Sequence, residues 1–507
     1  MADYCCKTSI QGVLQFEFYM SGRLKPLHNV LPTEYCAKVA FNRQRFRRPQ
    51  LKRILSMLKK WLHKVLPSKA GKAVQKTVLP YSEHRISADM LSFAAEKVVK
   101  QLNKEGFQAY VVGGAVRDLL LGVEPKDFDV ATNATPEQVH KIFRRSRIIG
   151  RRFQIVHVMV GPETIEVTTF RGGNKAVQNA HGRIMKDNTY GSIEEDAMRR
   201  DFTCNALYYD PIHEEILDFH QGVSDIVDRK LVMIGDAAER YQEDPVRILR
   251  AVRLSGKLGF DVEEHTATPI PQYAGRLKNE PVARLFDEIM KLLFSGHARQ
   301  CLQKLNTLGV SNDIHPLLTA LKSADKAENR IIAIALKNTD ERLRADKSVS
   351  VGFVLAAILW PQLNAYWQEY QQQGQKSAPA LNDAITTLRE TVEKGWGVPQ
   401  RFSATMREIW QLQPQFDNMR GARPHKLLSQ PRFRAAYDFL VLRGQVGEVD
   451  NDTVQWWTTF QHADDETRSQ MSMAAQQRQQ QEHRGDGEAP KRKRRRKPRI
   501  KKTVAAE

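Results

Sequence analysis

The chain has 507 residues, of which 41% are hydrophobic, and this length favours two to four domains over a single core. Its formal net charge is +20, so we expect a polyanionic partner, either nucleic acid or an acidic membrane surface. The five cysteines include no CxxC pair and fit neither a zinc site nor a disulfide framework, and no apolar run approaches the roughly 18 residues of a membrane span. These features favour a cytoplasmic protein.

Residues 1–80 form an extension that contains a basic amphipathic helix. Apolar residues recur at helical spacing from Leu51 to Val65, lysines and arginines fill much of the other face, and Pro67 ends the run. This helix either packs on the main body or contacts RNA or a membrane surface, which would give the protein peripheral membrane contact. A start codon at Met57 would make residues 1–56 an artefact of the assigned start.

Residues 81–230 carry an α/β pattern. The elements that it predicts, in chain order, are a strand Tyr110–Val112, a helix Ala115–Leu121 closed by Gly122, a strand Asp127–Ala131, and a hairpin of Ile155–Val160 and Thr164–Phe170 joined by Gly161-Pro162. Residues 172–188 are polar and predict a mobile loop, and Ser192 with Glu195 forms a capping box that opens a helix through Ala206. From about residue 236 the pattern is helical, with a buried apolar helix at Phe353–Trp360 that stops at Pro361.

Two acidic residues in the second strand suggest a metal site. Asp127 and Asp129 flank Phe128, and the two-residue period of a strand places both carboxylates on one face. Like charges held so close are unfavourable unless a cation lies between them, and hard oxygen ligands suit Mg²⁺, or Mn²⁺ in its place. A lone DxD is weak evidence, because surface pairs of this kind are common.

The surroundings of the acidic pair strengthen this interpretation. Gly113 and Gly114 lie between a strand and a helix, where missing Cβ atoms let backbone N–H groups approach a phosphate, and Arg117 lies one turn further on. Glu166 would complete the metal site if its strand lies beside that of Asp129; otherwise it is an exposed glutamate on a half-buried strand.

The order of these motifs resembles a known superfamily. The GG-x-x-RD motif followed by DxD, in VVGGAVRDLLLGVEPKDFDV (111–130), is similar to the nucleotidyltransferases, and RRDFTCNAL (199–207) with EDPVRILRAVR (243–253) is similar to their class II branch. That branch holds the CCA-adding enzymes and the bacterial poly(A) polymerases. The resemblance covers roughly residues 85–300.

The resemblance implies a fold and a reaction. The fold class is α+β, with a mixed five-stranded catalytic head at 81–230, a helical neck at 231–295 that binds the base and RNA, and a helical body and leg at 296–474 that bind RNA. Independently of the resemblance, the Gln-, Arg- and Lys-rich composition of residues 475–507 predicts a disordered basic tail. The reaction is Mg²⁺-dependent, template-independent addition of nucleotides from nucleoside triphosphates to RNA 3′ ends.

Site residues carry over onto matching positions. Asp127 and Asp129 would bind metal, and Asp201 would be a further essential acid, which from its neighbours orients the nucleotide rather than binding metal. Nucleotide-binding residues would be Gly113, Gly114, Arg117, Arg200, Asn205, Asp244, Arg247 and Arg250.

Asp244 and Arg247 would read the incoming base. We expect Asp244, Arg247 and Arg250 on one helix face, at three-residue spacing, although a surface ion-pair ladder is the commoner use of such spacing. A carboxylate and a guanidinium complement N6 and N1 of adenine. Cytosine offers the same donor and acceptor at N4 and N3, so this pair alone does not separate ATP from CTP.

Three features favour the poly(A) polymerase subgroup over the CCA-adding enzymes. The segments IIGRRFQIVHV (148–158) and FRAAYDFLVLR (433–443) resemble that subgroup, and the basic tail would bind any phosphate backbone without reading its sequence. We expect RNA contacts from Arg151, Arg152, Lys491, Arg492, Lys493, Arg494, Arg495 and Arg496. The alternatives are a CCA-adding enzyme and, remotely, a catalytically silent RNA-binding protein.

The expected partners follow from this reaction. They are ATP, the 3′ ends of mRNA, small RNAs and tRNA fragments, and an RNA chaperone or the RNA degradation machinery. We expect a monomer.

Overall fold

The computed structural model describes residues 76–150, 154–172, 177–178, 184–186, 189–310, 314–322 and 330–485. The predicted amphipathic helix at Leu51–Val65, Met57, Arg151, Arg152 and the basic segment Lys491–Arg496 lie outside the described residues.

A mixed sheet forms the first part of the fold. The strands are β1 Thr77–Leu79, β2 Ala109–Val112, β3 Asp129–Thr132, β4 Ser146–Ile149, β5 Ile155–Val160, β6 Glu163–Thr169, β7 Val177–Gln178, β8 Ile184–Lys186, β9 Leu207–Asp210, β10 Glu215–Asp218, β11 Lys230–Leu231 and β12 Asp261–Val262. Eight of them form one sheet in the order β1-β10-β9-β2-β3-β6-β5-β4. All neighbours in it are antiparallel except β3 and β6, which are parallel. The mixed sheet is confirmed, and it is wider than the five strands that the resemblance implies.

Helices cover the sheet and form most of the described chain after residue 236. They are α1 Tyr81–His84, α2 Phe93–Lys104, α3 Gly114–Leu120, α4 Pro136–Ile142, α5 Ile193–Arg199, α6 Gly222–Val227, α7 Ala237–Glu243, α8 Val246–Leu258, α9 Glu264–Ala267, α10 Ile270–Ala274, α11 Val282–Leu293, α12 Ala298–Thr307, α13 Pro316–Lys322, α14 Arg330–Arg344, α15 Val351–Gln372, α16 Ser377–Gly395, α17 Gln400–Leu412, α18 Arg423–Leu428, α19 Phe433–Gln445, α20 Asn451–His462 and α21 Asp465–Gly485. Short 3-10 turns lie at Ala88–Met90, Thr203–Asn205, Gly275–Asn279 and Gln413–Gln415.

The two faces of the sheet differ in what covers them. On β2 and β3, Val111 and Val130 belong to the large core, which α2 and α3 cover. On the opposite face, Val112 and Ala131 belong to a smaller aromatic cluster that includes Ala197 of α5. Because side chains alternate along a strand, Asp129 shares the face of Ala131. Asp129 is therefore directed towards the side that α5 covers.

The predicted hairpin of β5 and β6 is confirmed, with Val160 paired to Glu163. The segment predicted as a polar loop contains β7 and β8, which pair antiparallel. The strands β11 and β12 pair in parallel. Because β11 spans residues 230 and 231, the expected boundary between the catalytic head and the neck falls within this strand.

The apolar helix near residue 353 is longer than predicted. Residues 353–360 are mostly buried, as expected, but α15 continues through Pro361 to Gln372. A proline inside a helix costs about 3 kcal/mol. Packing of α15 against α14, α16 and α17 provides the compensating burial. Within the described residues, no helix is long and apolar enough to cross a membrane.

Two buried histidines make the stability of this fold dependent on pH. Burial lowers the pKa of His84 to about 4 and that of His315 to about 4. Nδ1 of His84 accepts a hydrogen bond from the Ile86 N–H (2.9 Å), which requires an unprotonated nitrogen. Each histidine is therefore neutral in the folded chain at a pH where the unfolded chain protonates it.

We expect the free energy of unfolding to fall as the pH drops from 6.5 towards 4. The unfolded chain binds more protons in this window, so each histidine can remove up to about 3 kcal/mol of stability. Replacing His84 with asparagine, whose side-chain oxygen can accept the Ile86 N–H, should flatten this dependence. Denaturant unfolding of both proteins at several pH values measures it, and identical slopes would contradict the assignment.

Candidate active site

The structure places Asp129 and Glu166 side by side. Asp129 begins β3 and is paired in register with Glu166 of the parallel strand β6. Phe128 is buried on the other side, as the alternation predicts. Asp127 lies two residues earlier and is exposed; it precedes the strand, so the prediction that the strand begins at Asp127 is wrong.

The charges around Asp129 are unfavourable in the protein alone. Burial, and then the neighbouring carboxylate of Glu166, raise the pKa of Asp129 to about 6. Asp127 adds to this repulsion, whereas the guanidinium of Arg200 opposes it. On its other side Glu166 lies 3.4 Å from Nε2 of His157. Such a carboxylate group gains stability from a bound cation.

Backbone conformation requires glycine at position 113, and the space beside Gly114 is tight. Gly113 has φ 79° and ψ −132°, which L-residues with a side chain rarely adopt. A Cβ atom on Gly113 would lie 3.7 Å from Nη1 of Arg200, and one on Gly114 would lie 3.3 Å from Nη2 of Arg117. The Gly113 N–H donates to the Leu207 carbonyl (3.2 Å). That N–H is therefore already used, contrary to the expectation that it approaches a phosphate.

The guanidinium of Arg117 is bound by neighbouring side chains. Its side chain is buried, and Nε and Nη2 donate to Oδ1 of Asp118 at 2.9 and 2.7 Å. Its Nη1 donates to the Asn205 side-chain oxygen. The prediction that Arg117 reaches the same anion as the glycines finds no counterpart in this geometry, because the adjacent Asp118 and Asn205 already bind its guanidinium.

Arg200 is held rigidly by two buried groups. Its Nε and Nη2 lie 3.1 and 2.9 Å from Oδ2 of Asp196, and its Nε lies 2.9 Å from the Tyr208 hydroxyl oxygen. The guanidinium also stacks over the Tyr208 ring at 5.0 Å. Burial alone would raise the pKa of Asp196, but Arg200 and the Tyr208 hydroxyl hold it below its usual value. The Arg200 side chain is thus pre-oriented before any ligand binds.

The helix predicted through Ala206 ends at Arg199. The capping box of Ser192 and Glu195 is confirmed. Arg200 and Phe202 are extended, because Phe202 is fully buried and bridges to Met233. Asp201 and Asn205 therefore do not share a helix with Arg199 and Arg200.

The carboxylate of Asp201, in the segment between α5 and β9, binds two arginines of helix α8. Its Oδ1 accepts from Nε of Arg247 (3.1 Å), and its Oδ2 lies 2.5 Å from Nη1 of Arg250. Burial would raise the pKa of Asp201, but Arg250 and Arg247 hold it below its usual value. Asp201 thus positions two arginines, which agrees with an orienting role.

Asp244 and Arg247 do not lie on one helix face. The helical pattern breaks between α7 and α8, where Asp244 is extended because it precedes Pro245. Asp244 accepts from Arg284 (2.7 Å), whereas Nη1 of Arg247 donates to Glu243 at 3.0 Å. The predicted single helical face through Asp244, Arg247 and Arg250 is wrong.

Several site residues were missed by the sequence analysis. Arg240 donates to the carbonyl oxygens of Arg199 (2.8 Å) and Arg200 (2.7 Å) and so holds the backbone of the RRD motif. Arg284 pairs with Asp244 across 40 residues of sequence, a separation at which no local pattern gives a signal. Asp196 was accessible to prediction, because Asp196 and Arg200 have the four-residue spacing of a helical ion pair.

A cleft of about 300 Å³ brings these groups together. Its lining carries the carboxylates of Asp129 and Glu166, which we call the acidic wall, and several arginines, which we call the arginine wall: Arg171, Arg199, Arg200 and Arg250. Asp201 and Asn205 also line it. A cleft that brings carboxylates and guanidinium groups together suits a nucleoside triphosphate with its cation.

The carboxylates fit a metal ion that a substrate helps to bind. Within the described residues, no group of three acidic, histidine or cysteine side chains is arranged to hold an ion alone. Mg²⁺ commonly binds one or two carboxylates and completes its shell with water and phosphate oxygens. The donor set of Asp129 with its acidic neighbours matches this mode.

Family models match three parts of the chain. They are described as the poly A polymerase head domain at residues 109–232, the probable RNA and SrmB-binding site of polymerase A at 259–322, and the polymerase A arginine-rich C-terminus at 373–501. The first match contains the sheet residues and the RRD motif of the cleft.

Known proteins are similar to this chain in sequence and in structure. Poly(A) polymerase I of Salmonella typhi is 43% identical over 413 residues, which is 78% of this chain and 88% of the relative. The CCA-adding enzyme of Lactobacillus helveticus is 35% identical over 49% of this chain and 64% of the relative. The crystal structure of the Bacillus stearothermophilus CCA-adding enzyme with CTP has a TM-score of 0.50 and 26% identity, and the match covers 71% of this chain and 80% of that one. The chain belongs to the poly(A) polymerase I family of nucleotidyltransferases.

Proposed function

We infer that the protein is a template-independent poly(A) polymerase, which transfers AMP from ATP to the 3′-hydroxyl of RNA and releases pyrophosphate. The observation that carries this inference is the 43% identity to poly(A) polymerase I over 88% of that relative. It is combined with a cleft lined by Asp129 of the DxD motif, the three RRD residues and Arg250 of α8. The CCA-adding relative is more distant and matches about half of the chain.

The acidic wall would hold the catalytic ion. Asp127 and Asp129, with Glu166 as the third carboxylate, would bind Mg²⁺, or Mn²⁺ in its place. When bound, the ion polarises the attacking hydroxyl and neutralises charge on the phosphates. Burial and then the carboxylate of Glu166 raise the pKa of Asp129, and this supports the assignment because a bound cation stabilises a buried carboxylate and relieves the repulsion.

The arginine wall would bind the triphosphate. Arg200 is fixed by Asp196 and Tyr208, and Arg250 is fixed by Asp201, so both guanidinium groups are already oriented. Groups that are held in place stabilise charge that develops on the departing pyrophosphate without reorganising. Arg117 supports this wall indirectly, through the side chain of Asn205.

Base reading by Asp244 and Arg247 requires these residues to exchange partners. Asp244 is bound to Arg284, and Arg247 is bound to Asp201 and Glu243. We propose that adenine competes for these groups, with N6 donating to Asp244 and N1 accepting from Arg247.

RNA would reach the cleft along basic surface. The match to the probable RNA and SrmB-binding site supports RNA contacts at residues 259–322, and Arg151, Arg152 and the segment Lys491–Arg496 would add sequence-independent phosphate contacts. We propose action as a monomer in the cytoplasm on mRNA, small RNA and tRNA-fragment ends, with an RNA chaperone or the degradation machinery as a partner and the basic helix at Leu51–Val65 as a peripheral membrane contact.

Nucleotide selectivity on an unstructured RNA primer tests the proposed reaction. With Mg²⁺ and each nucleoside triphosphate separately, we expect long tracts from ATP and at most single additions from CTP. A tRNA that ends one residue short is the second primer. Long A-tracts on both primers support the proposal, whereas addition that stops after CCA on the tRNA would contradict it.

A further inference from the structure

A second cleft lies in the helical part, between α14 and α19. It has a volume of about 690 Å³ and opens between the end of α14, the link to α15 and the start of α19. Charged side chains at its rim are Arg342, Lys347, Arg432, Arg434, Glu341 and Asp438. The lining has four cations against two carboxylates, but Arg432 pairs with Glu408 next to it (2.8 Å), so the net charge with Glu408 included is +1. We name it the α14–α19 cleft.

Two of the cations keep their charge available. Arg342 donates to the Ser348 carbonyl oxygen (2.9 Å), which fixes the guanidinium without neutralising it. Within the described residues, neither Arg342 nor Lys347 forms an ion pair with a carboxylate. Arg434 pairs with Asp438 (3.2 Å) on its own helix, but its side chain remains 68% exposed. An exposed pair of this kind is weak, so Arg434 can exchange Asp438 for a phosphate.

The cleft is also lined by apolar side chains, which include the aromatic ring of Phe353 and which we call its floor. Phe353 of α15 is half-buried and packs edge-on against Phe439 at 5.9 Å. Cations that surround an aromatic floor are typical of sites for single-stranded nucleic acid, where the cations bind phosphates and the ring stacks on a base.

The cleft is connected to the active site through packed helices. Arg250, which lines the acidic cleft, lies on α8; α8 packs on α12, α12 packs on α14, and α14 packs on α19. A polymerase that adds one nucleotide per cycle lengthens a single strand, which must rest on the protein upstream of its 3′ end.

We propose that the α14–α19 cleft binds single-stranded RNA upstream of the 3′ end, with Arg342, Lys347 and Arg434 on phosphates and Phe353 against a base. This inference rests on the proposed polymerase function, because the strand it binds is the product of that reaction. It assigns a contact surface outside the matched RNA-binding segment at residues 259–322.

Charge removal tests the phosphate contacts. The triple variant Arg342→Gln, Lys347→Gln, Arg434→Gln is compared with a control of equal charge change on exposed residues of α2, Lys97→Gln, Lys100→Gln, Lys104→Gln. Binding of a 20-nucleotide oligo(A) is measured without ATP at several salt concentrations. We expect the logarithmic salt slope to fall by about 2 and the affinity about tenfold in the triple variant only. An unchanged slope and affinity would overturn the proposal.

Primer length separates this cleft from the catalytic head. On a hexanucleotide primer, we expect the triple variant to incorporate AMP at the wild-type rate; a loss equal to that on the long primer would overturn the upstream assignment. Failure of the wild type to incorporate AMP would refute the proposed function, while the binding result would still decide the cleft. If the triple variant kept oligo(A) binding but lost binding of a polyglutamate peptide, the occupant would be an acidic protein segment, and the RNA proposal would be wrong.

A separate variant tests the base contact. Phe353→Leu keeps apolar packing and removes the ring, so we expect about fivefold weaker binding of oligo(A) and unchanged binding of an abasic strand of equal length. Equal effects on both strands would overturn the stacking assignment.

Discussion

Replacing Asp129 with asparagine is expected to lower the rate of AMP incorporation at least about 1,000-fold while RNA binding stays within about twofold of wild type. Asparagine preserves the shape of the side chain and its place at the start of β3, but it removes the charge that the metal ion requires. Steady-state incorporation on an oligonucleotide primer and binding of the same primer without ATP measure the two effects.

Two further variants complete this test. Asp127→Ala should show the same loss, since both carboxylates are expected to bind the ion. Asp383→Asn, on the exposed surface of α16, makes the same chemical change away from the cleft and should leave the rate unaltered. Full activity of Asp127→Ala or Asp129→Asn would refute the metal-site assignment.

Asp201→Asn is expected to reduce both nucleotide binding and stability. The variant leaves Arg247 and Arg250 without the carboxylate that now pairs with both. Because Asp201 and Arg247 are largely buried, we expect the free energy of unfolding to fall by about 3 kcal/mol. Without this carboxylate the two arginines lose their orientation, so the KM for ATP should rise at least about tenfold.

The response to Mg²⁺ distinguishes the two roles considered for Asp201. If Asp201 positions the arginines, added Mg²⁺ will not restore activity to Asp201→Asn. Restoration by high Mg²⁺ would instead identify Asp201 as a metal ligand. Asp261→Asn is the control, since it breaks an exposed pair with Lys304 and should change stability by less than about 1 kcal/mol.

The acidic part of the site was largely predictable, because it depends on local patterns. Strand periodicity placed Phe128 opposite to Asp129, and the capping box located the start of α5. The hypothesis that the Glu166 strand lies beside Asp129 needed one further fact, the parallel pairing of β3 with β6. A sequence motif cannot supply this, because strand pairing depends on contacts between distant segments.

The arginine contacts were less predictable, since a long side chain can reach partners in many directions. Arg117 was expected at the phosphates, but it turns to Asp118 and Asn205. Asp244 was expected beside Arg247, but Pro245 prevents a helical Asp244, and Arg284 from α11 binds its carboxylate.

The sequence by itself determined the family and reaction class, the elements that carry the motifs, and the acidic residues of the site, because these depend on residue type and short spacings. The tertiary structure alone decided the ion pairs between distant segments: Asp201 with Arg247 and Arg250, and Asp244 with Arg284. Asp127 and Asp129 stand in the sequence as a pair of acids, and the fold adds the arginine wall. The physical reason is that the energy of a buried charge depends on its neighbours in space, and those neighbours come from segments far apart in the chain.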